Sequence, residues 1–298
     1  MKLVRISMHC LIFIICFCLF GVSYASYSPS MPVMRVARES QRTPLTVTFL
    51  KVGQGDSTLL SLPNGKHILI DGGPHEAGEA VIHKLIEKRI KKLDLVISTH
   101  PDMDHIGGLI QVIQQVPVTM ILDSGKHYYS LTYRMYIRSV KERKIPFIAA
   151  KEGQFLPLDP NISIRVLNDG KKKDANNESS IVLQVRYNKA DFLLMGDADV
   201  ATEKRIIDRY SVHADVLKIG HHGSYTSSSA RLLTSANPQF VVLSYGKGNP
   251  YGHPHQSVMK RLRKYGMQVY STVSGDIEFQ TDGSNIVINR KTPLPLLK

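Results

Sequence analysis

The chain has 298 residues, 43% of them hydrophobic, enough for a packed core, so its composition excludes a disordered polymer. Its 38 Lys and Arg outnumber 25 Asp and Glu for a formal net charge of +13, which favours polyanionic partners such as nucleic acid, teichoic-type polymers or an anionic membrane surface without choosing among them. Only three cysteines occur, Cys10, Cys16 and Cys18, so the chain beyond them has no disulfide and no thiolate for zinc or nucleophilic chemistry.

Met1 to Arg5 is short and basic, Cys10 to Val22 is an apolar run of 13 residues, and Ser23-Tyr24-Ala25 ends in a small-x-small pattern. This order reads as a secretory signal peptide over residues 1–25 and predicts a secreted or periplasmic protein with no stable membrane insertion after cleavage. The run is shorter than the roughly 18 apolar residues of a bilayer span, and an uncleaved anchor is the alternative. Residues 26–43, with Pro and Ser early and three arginines later, read as an N-terminal arm.

Residues 44–290 read as one domain of two similar halves, and residues 291–298 as a C-terminal tail. The first half opens with short strands at Leu45–Val52, Ser57–Leu62 and His67–Asp71, punctuated by Gly53-Gln54-Gly55-Asp56 and Pro63-Asn64-Gly65. A helix over Ala77–Ile90 follows, with Ala80, Val81, Leu85 and Ile86 at helical spacing and Lys84, Lys88 and Arg89 on its other face. The apolar run Leu93–Ile97 predicts a buried strand, Leu109–Gln115 a helix, Val118–Leu122 a strand and Leu131–Glu142 a helix. A strand at Ile162–Leu167 and a hairpin of Ile181–Val185 with Asp191–Leu194 open the second half. Helix then alternates with strand: helices at Ala201–Tyr210, Ser227–Ser235 and Gln256–Tyr265, strands at Ala214–Ile219, Phe240–Ser244 and Gln268–Thr272. The last strands are Ile277–Gln280 and Ile286–Ile288. Strand-rich halves, each closed by helices, predict two sheets packed face to face with helices outside.

The densest chemistry lies in Ser98-Thr99-His100-Pro101-Asp102-Met103-Asp104-His105-Ile106-Gly107-Gly108, between a predicted strand and a predicted helix. His100 and Asp102 alternate as strand-end residues do, whereas Asp104 and His105 are adjacent and turn toward a second point. The loop therefore suits two cations a few Å apart, and two metals imply hydrolysis. The competing reading is a helix cap by Asp102 or Asp104, but a cap needs one such side chain and four ligand types within six positions exceed that. Further candidates also follow strands: Asp197 after Gly196, His221-His222-Gly223-Ser224, and Asn249-Pro250-Tyr251-Gly252-His253-Pro254-His255.

These segments, with Val52-Gly53-Gln54-Gly55-Asp56-Ser57, Leu69-Ile70-Asp71-Gly72-Gly73, and Asn177 and Ser180 before Ile181-Val182-Leu183, resemble in their order the metallo-β-lactamase superfamily. Within it they are most similar to the soluble hydrolase domain of ComEC-type DNA-internalisation competence proteins. The resemblance spans nearly all of the chain beyond the leader and arm. It implies an α/β fold, an αββα four-layer sandwich of two mixed sheets with helices outside, and a dinuclear centre at its edge.

Carried over by position, the resemblance puts His100 and Asp102 on one metal, Asp104 and His105 on the other, and Asp197 between them. His253 is the preferred last ligand, which leaves His221 and His222, with Asp104, as catalytic groups. The reverse assignment of His253 and the His221–His222 pair stays open, because both loops approach one face. Ser224, Asn249 and His255 are assigned to substrate. Asp71 orders the loop from behind in related sites, and a plain turn aspartate before two glycines is an equal reading.

The lactam-hydrolysing members present His-x-His-x-Asp-His and a further His before the bridging residue. Here Asp102 replaces the second His, and residues 176–180 offer none. Three aspartates leave two divalent cations one positive charge, which a bridging hydroxide neutralises. The oxygen-rich set inclines the site toward manganese or magnesium without excluding zinc. The expected activity is phosphodiester hydrolysis of DNA by a hydroxide generated between two such metal ions, with His221 or His222 protonating the leaving oxygen. Backbone N–H groups of Ser224–Ser227, at a helix start, are expected to cradle an anion. The segment Lys126–Arg138 interleaves aromatic and basic residues as a nucleic-acid surface does, but Tyr129, Tyr133 and Tyr136 recur at helical spacing, and their packing into the core is the favoured reading. Lys171-Lys172-Lys173 reads as a solvated loop. The alternatives are a phosphoesterase for phosphorylcholine or cell-wall phosphodiesters, and a non-catalytic basic DNA-binding module; a β-lactamase fits least.

Overall fold

Strand segments rich in Val, Ile, Leu and Phe with little polar alternation demand cover on both faces. In a computed structural model of the protein, which describes residues 43–170 and 176–289, they receive it. The leader, nearly all of the arm, Lys171–Lys173 and the tail lie outside the described residues. The first half holds β1 (Leu45–Phe49), β2 (Thr58–Ser61), β3 (His67–Ile70), α1 (Gly78–Glu87), β4 (Leu95–Ser98), α2 (Met103–Ile106), α3 (Leu109–Gln115), β5 (Ile121–Asp123), α4 (Leu131–Glu142) and β6 (Phe147–Ala149). The second holds β7 (Ile162–Asn168), β8 (Val182–Tyr187), β9 (Ala190–Leu194), α5 (Val200–Arg209), β10 (Val216–Lys218), α6 (Ala230–Ala236), β11 (Phe240–Leu243), α7 (Gln256–Lys264), β12 (Gln268–Ser271), β13 (Ile277–Thr281) and β14 (Ile286–Ile288).

The eight-stranded sheet runs β14-β13-β1-β2-β3-β4-β5-β6 and the six-stranded sheet β12-β11-β10-β9-β8-β7. Both are mixed: β3 to β6 and β9 to β12 pair in parallel, the remainder antiparallel. Period-two alternation sorts the side chains between layers. On β3 and β4, Ile68, Ile70, Leu95 and Ile97 point into the space between sheets, while Leu69 and Val96 meet the helices. On β9 and β10, Phe192, Leu194 and Val216 face inward and Leu193 and Leu217 face the other helical layer. Phe279 sits centrally, edge-on to Phe49 at 6.0 Å and to Phe192 at 6.3 Å between ring centres. The result is the expected four-layer αββα sandwich.

Within α1 the buried stripe is Val81, Ile82 and Leu85, whereas Ile86, expected in the core, is 66% exposed. Ala80, expected on the same face, is exposed as well, so the buried stripe is centred on Val81, Ile82 and Leu85 rather than on the Ala80–Ile86 edge. The helix expected from Ser227 begins at Ala230, capped by Ser229, whose Oγ accepts from the Leu232 N–H at 3.1 Å. No helix among the described residues is long and apolar enough to cross a membrane. The parallel strands β3, β4, β9, β10 and β11 all deliver their carboxyl ends to one edge, where open α/β sheets bind ligands.

Candidate metal centre

At the end of β4 the chain enters the short helix α2, with Asp102 at its N-cap position in extended backbone conformation. The Asp102 side chain makes no capping hydrogen bond; it is held instead by the Asn176 amide and lies 3.5 Å from His100 Nε2. The capping reading therefore fails for this residue. Gly55 makes the close approach of the β1–β2 turn possible: a Cβ there would stand 2.2 Å from the Asp104 carbonyl oxygen, so only glycine fits. Gly108 and Gly72 meet in the same way, since a Cβ on Gly108 would lie 2.1 Å from the Gly72 oxygen.

Each imidazole of the loop is fixed through its Nδ1. His105 Nδ1 donates to Asp71 Oδ2 at 2.8 Å, and Asp71 is itself anchored by the Thr99 N–H at 2.8 Å and the Thr99 hydroxyl at 2.6 Å. Asp71 is thus the orienting carboxylate rather than a bare turn residue. His100 Nδ1 lies 3.1 Å from the Thr99 hydroxyl and 3.3 Å from that of Ser180. Ser180 also accepts the Asp197 N–H at 3.0 Å, tying the β9 end to the β4 end. Both Nε2 atoms turn toward Asp197, whose Oδ2 is 3.4 Å from His105 and 3.9 Å from His100.

After β10, His221 and His222 both adopt left-handed backbone angles, with φ of 47° and 53°, a conformation costly for residues with a Cβ. The strain sends the two rings to different places. His222 is buried, its Nδ1 donates to the Ser244 carbonyl at 2.9 Å, and its Nε2 lies 3.2 Å from Asp104 and 3.5 Å from Asp197. His221 stays at the rim, its Nε2 3.7 Å from Asp197 and its Nδ1 3.1 Å from the Thr226 hydroxyl, with the Asn177 amide beside it.

Behind His222 lies a buried ion pair that the sequence analysis did not single out. Lys218 Nζ meets Asp56 Oδ2 at 2.8 Å and donates to the Ile219 carbonyl at 2.7 Å, while Asp56 Oδ1 is 3.3 Å from His222 Nδ1. The available signal was a lysine at the end of the apolar run Val216-Leu217, in a strand buried on both faces, where a charge needs a partner. Asn176, present only as part of a region lacking histidine, supplies the amide that holds Asp102.

The electrostatics follow from this packing. Burial opposes charge on His222, but Asp197 and Asp56 overcome it and push its pKa up to about 10. His105 is raised likewise by Asp197 and Asp71 against its own burial. Asp197, despite complete burial, is held well below the carboxylate range by His222 and His105. The pocket thus has a field that favours positive charge. At the rim, burial and the neighbouring imidazoles of His222, His221 and His255 push His253 down to about 4, and burial lowers His221.

The expected residues converge in part. His100, Asp102, Asp104, His105 and Asp197 come together as expected. The last imidazole differs: His222, not His253, meets the carboxylates, because the β10 turn delivers it inward while the His253 ring stays 5.9 Å from that of His222. His221 alone of the expected pair remains open to substrate. Ser224 is buried, with its Oγ accepting from Thr226. Asn249 bonds within its own loop, donating to the Gly246 and His253 carbonyls and accepting from Tyr251 and His253. His255 accepts the Tyr225 N–H through Nδ1 at 3.2 Å. The expected anion cradle at Ser224–Ser227 does not form, because those N–H groups are already used: Ser224 donates to the His221 carbonyl, Tyr225 to His255 Nδ1, Thr226 to Ser224 Oγ and Ser227 to the Ser224 carbonyl.

His100 Nε2, His105 Nε2, His222 Nε2 and Asp197 Oδ1 are buried and have no hydrogen-bond partner. Unsatisfied buried polar atoms each cost about 1–3 kcal/mol, so a bound ligand at this cluster would be stabilising. Ligand atoms of His100, His105 and Asp197, and of Asp104, His105 and His222, lie within 4.8 Å of one another. Imidazole nitrogen and carboxylate oxygen at this spacing fit divalent cations.

Known proteins carry related chains. Residues 50–247 match the metallo-β-lactamase superfamily. Recombination protein 2 of Haemophilus influenzae is 31% identical over 266 residues, covering 87% of this chain and 31% of that protein. ComE operon protein 3 of Bacillus subtilis is 29% identical over 254 residues, 78% of this chain and 33% of its own length. Competence protein ComA of Neisseria gonorrhoeae is 29% identical over 238 residues, 78% of this chain and 32% of that protein. The chain therefore spans about a third of the length of these relatives. Among solved structures, the metallo-β-lactamase fold protein YhfI of Bacillus subtilis superposes with a TM-score of 0.56 at 17% identity, covering 80% of this chain and all of that one. Fold, site and sequence agree that the chain belongs to the metallo-β-lactamase superfamily, whose members are generally metal-dependent hydrolases.

Proposed function

We propose that the protein is an exported, metal-dependent phosphodiesterase that hydrolyses DNA. The observation that carries this reading is the convergence of three unpartnered imidazole Nε2 atoms on buried Asp197, with Asp104 and Asp102 closing the open side. His100, Asp102 and Asp197 would hold one cation, and Asp104, His105, His222 and the shared Asp197 the other. Two divalent cations bound there supply Lewis acidity toward a phosphodiester and lower the pKa of a water.

The chain's own groups do the rest. Asp71 and the Ser244 carbonyl fix the imidazoles of His105 and His222, with the Asp56–Lys218 pair behind the latter, so that no reorganisation is needed during reaction. Asp102, Asp104 and His221, with side chains 31%, 26% and 22% exposed, form the open side through which a substrate enters. His221, at the rim with Nε2 toward Asp197 and Nδ1 against the Thr226 hydroxyl, is the group placed to carry a proton to the leaving oxygen. Support for DNA comes from the net charge of +13 and from relatives named for competence and recombination. Support for export comes from the basic, apolar and small-residue order of residues 1–25.

The test is an assay of the purified protein with Mn²⁺, Mg²⁺ or Zn²⁺ against single- and double-stranded DNA and a generic phosphodiester. Metal-dependent cleavage of DNA is expected, and Asp197→Ala should abolish it while the circular-dichroism spectrum stays that of the parent. Turnover of the small ester alone favours a phosphoesterase of another substrate. Salt-dependent DNA binding without cleavage favours a non-catalytic module.

A further inference from the structure

The aromatic and basic segment beside the metal loop divides in the structure. Tyr133 and Tyr136 are buried, as an aromatic stripe facing the core predicts, but Tyr129 is fully exposed and Tyr128 is 38% exposed. They stand at the mouth of a groove of about 570 Å³ whose floor is Tyr133 and Ile137. Arg134, Arg138 and Lys141 follow along the solvent face of α4 at helical spacing and line the same groove. Glu142 answers one of them, bonding to Arg138 at 2.7 Å. Arg134 has no carboxylate partner among the described residues.

The helix that walls the groove is linked to the ligand loop at its first turn. Thr132, in the first turn of α4, meets His75 Nε2 at 3.1 Å. Gly107, which ends the helix carrying Asp104 and His105, packs so closely on His75 that a Cβ would lie 2.6 Å from its nitrogen. The first turn of α4, at one end of the groove, is thus tied through His75 to the helix that carries Asp104 and His105.

We infer that this groove binds single-stranded DNA, its bases stacking on Tyr129 and Tyr128 and its phosphates pairing with Arg134, Arg138 and Lys141, and that it guides the strand to the metal centre. The inference rests on the DNA reading above and deepens it. A single strand is favoured over a duplex because a fully exposed phenol needs an unstacked base face, which paired bases do not offer. It is favoured over an acidic peptide because carboxylates would use the cations and leave the tyrosines without a partner.

The experiment measures binding of a fluorescein-labelled twelve-residue oligothymidylate by anisotropy in EDTA, so that no cleavage intervenes. Tyr129→Ala should weaken binding roughly 5- to 100-fold, and Tyr129→Phe should restore it, since stacking needs the ring alone. Arg134→Ala should weaken binding and reduce the slope of log affinity against log salt by about one phosphate contact. Unchanged affinity in Tyr129→Ala overturns the inference, as does equal, Tyr129-dependent binding of a duplex or displacement by polyglutamate of matched charge. Metal-dependent hydrolysis of DNA by the unmodified protein, measured without EDTA, reports on the proposed activity separately. Tyr129-dependent binding without that hydrolysis keeps the groove and removes the enzyme; hydrolysis with Tyr129-independent binding does the reverse.

Discussion

The two sides of the metal centre are built alike in front and differently behind. On the side of His105 and His222 the surroundings are charged: Asp71 accepts from His105 Nδ1, and Asp56, itself neutralised by buried Lys218, lies 3.3 Å from His222 Nδ1, which donates to the Ser244 carbonyl. On the side of His100 and Asp102 the backing is neutral: the hydroxyls of Thr99 and Ser180 and the amide of Asn176. A carboxylate behind an imidazole raises its basicity as a ligand, whereas a hydroxyl only orients it. With cations bound as proposed, the contrast predicts firmer retention on the His105–His222 side than on the His100–Asp102 side.

The harshest way to break this contrast is Lys218→Met. It leaves Asp56 charged, buried and unpaired, and a loss of about 3–5 kcal/mol is expected in urea denaturation. The double variant Lys218→Met with Asp56→Asn should recover part of that loss. Next, Asp71→Asn or Asp56→Asn should lower affinity for one of two bound cations by about 10- to 100-fold, read by competition with a chromophoric chelator. If both cations weaken equally, the two sides are not distinct.

A third test sharpens the contrast between charged and neutral backing at a buried carboxylate outside the centre. Asp123, at the end of β5, receives the Gly125 N–H at 2.7 Å, and no cation among the described residues pairs with it. Burial pushes its pKa up to about 6. Its folded pKa exceeds the ordinary 3.8, so the native state holds an extra proton between those values. Stability falls as pH rises through that window and stays lower above it. Asp123→Asn should therefore raise stability by about 1–2 kcal/mol at pH near 7.5 and change it little near pH 4.5, in melts run with EDTA. The smallest expected effect is that of Asn176→Ala, a few-fold loss of affinity confined to the Asp102 side.

How much of this was readable in advance depended on range along the chain. The loop from His100 to His105 was recognisable because its ligands lie within six residues, and a strand end and a helix turn fix their directions locally. Strands β1 to β5 and β7 to β14 fell within a few residues of their expected places, since the central strands leave apolar runs and edge-side strands such as β7 and β13 alternate apolar with polar residues. The exposed strand β6, with Phe147 and Ile148 largely at the surface, left no such signature. The choice among His221, His222 and His253 was not decidable, because two successive left-handed residues sent one ring inward and its neighbour to the rim. Ser224 and Asn249 misled for a related reason. Their polar groups serve the loops that carry them.

Local order along the polypeptide thus determined the layers, the strand ends and the type of donor atoms, since periodicity and residue chemistry act over a few positions. Only the tertiary structure decided which imidazole closes the site, and that Asp56 and Lys218 stand behind it. Those partners lie more than a hundred residues apart in the chain, and their pairing is driven by the cost of burying a charge alone, which exists only once the sheets have packed.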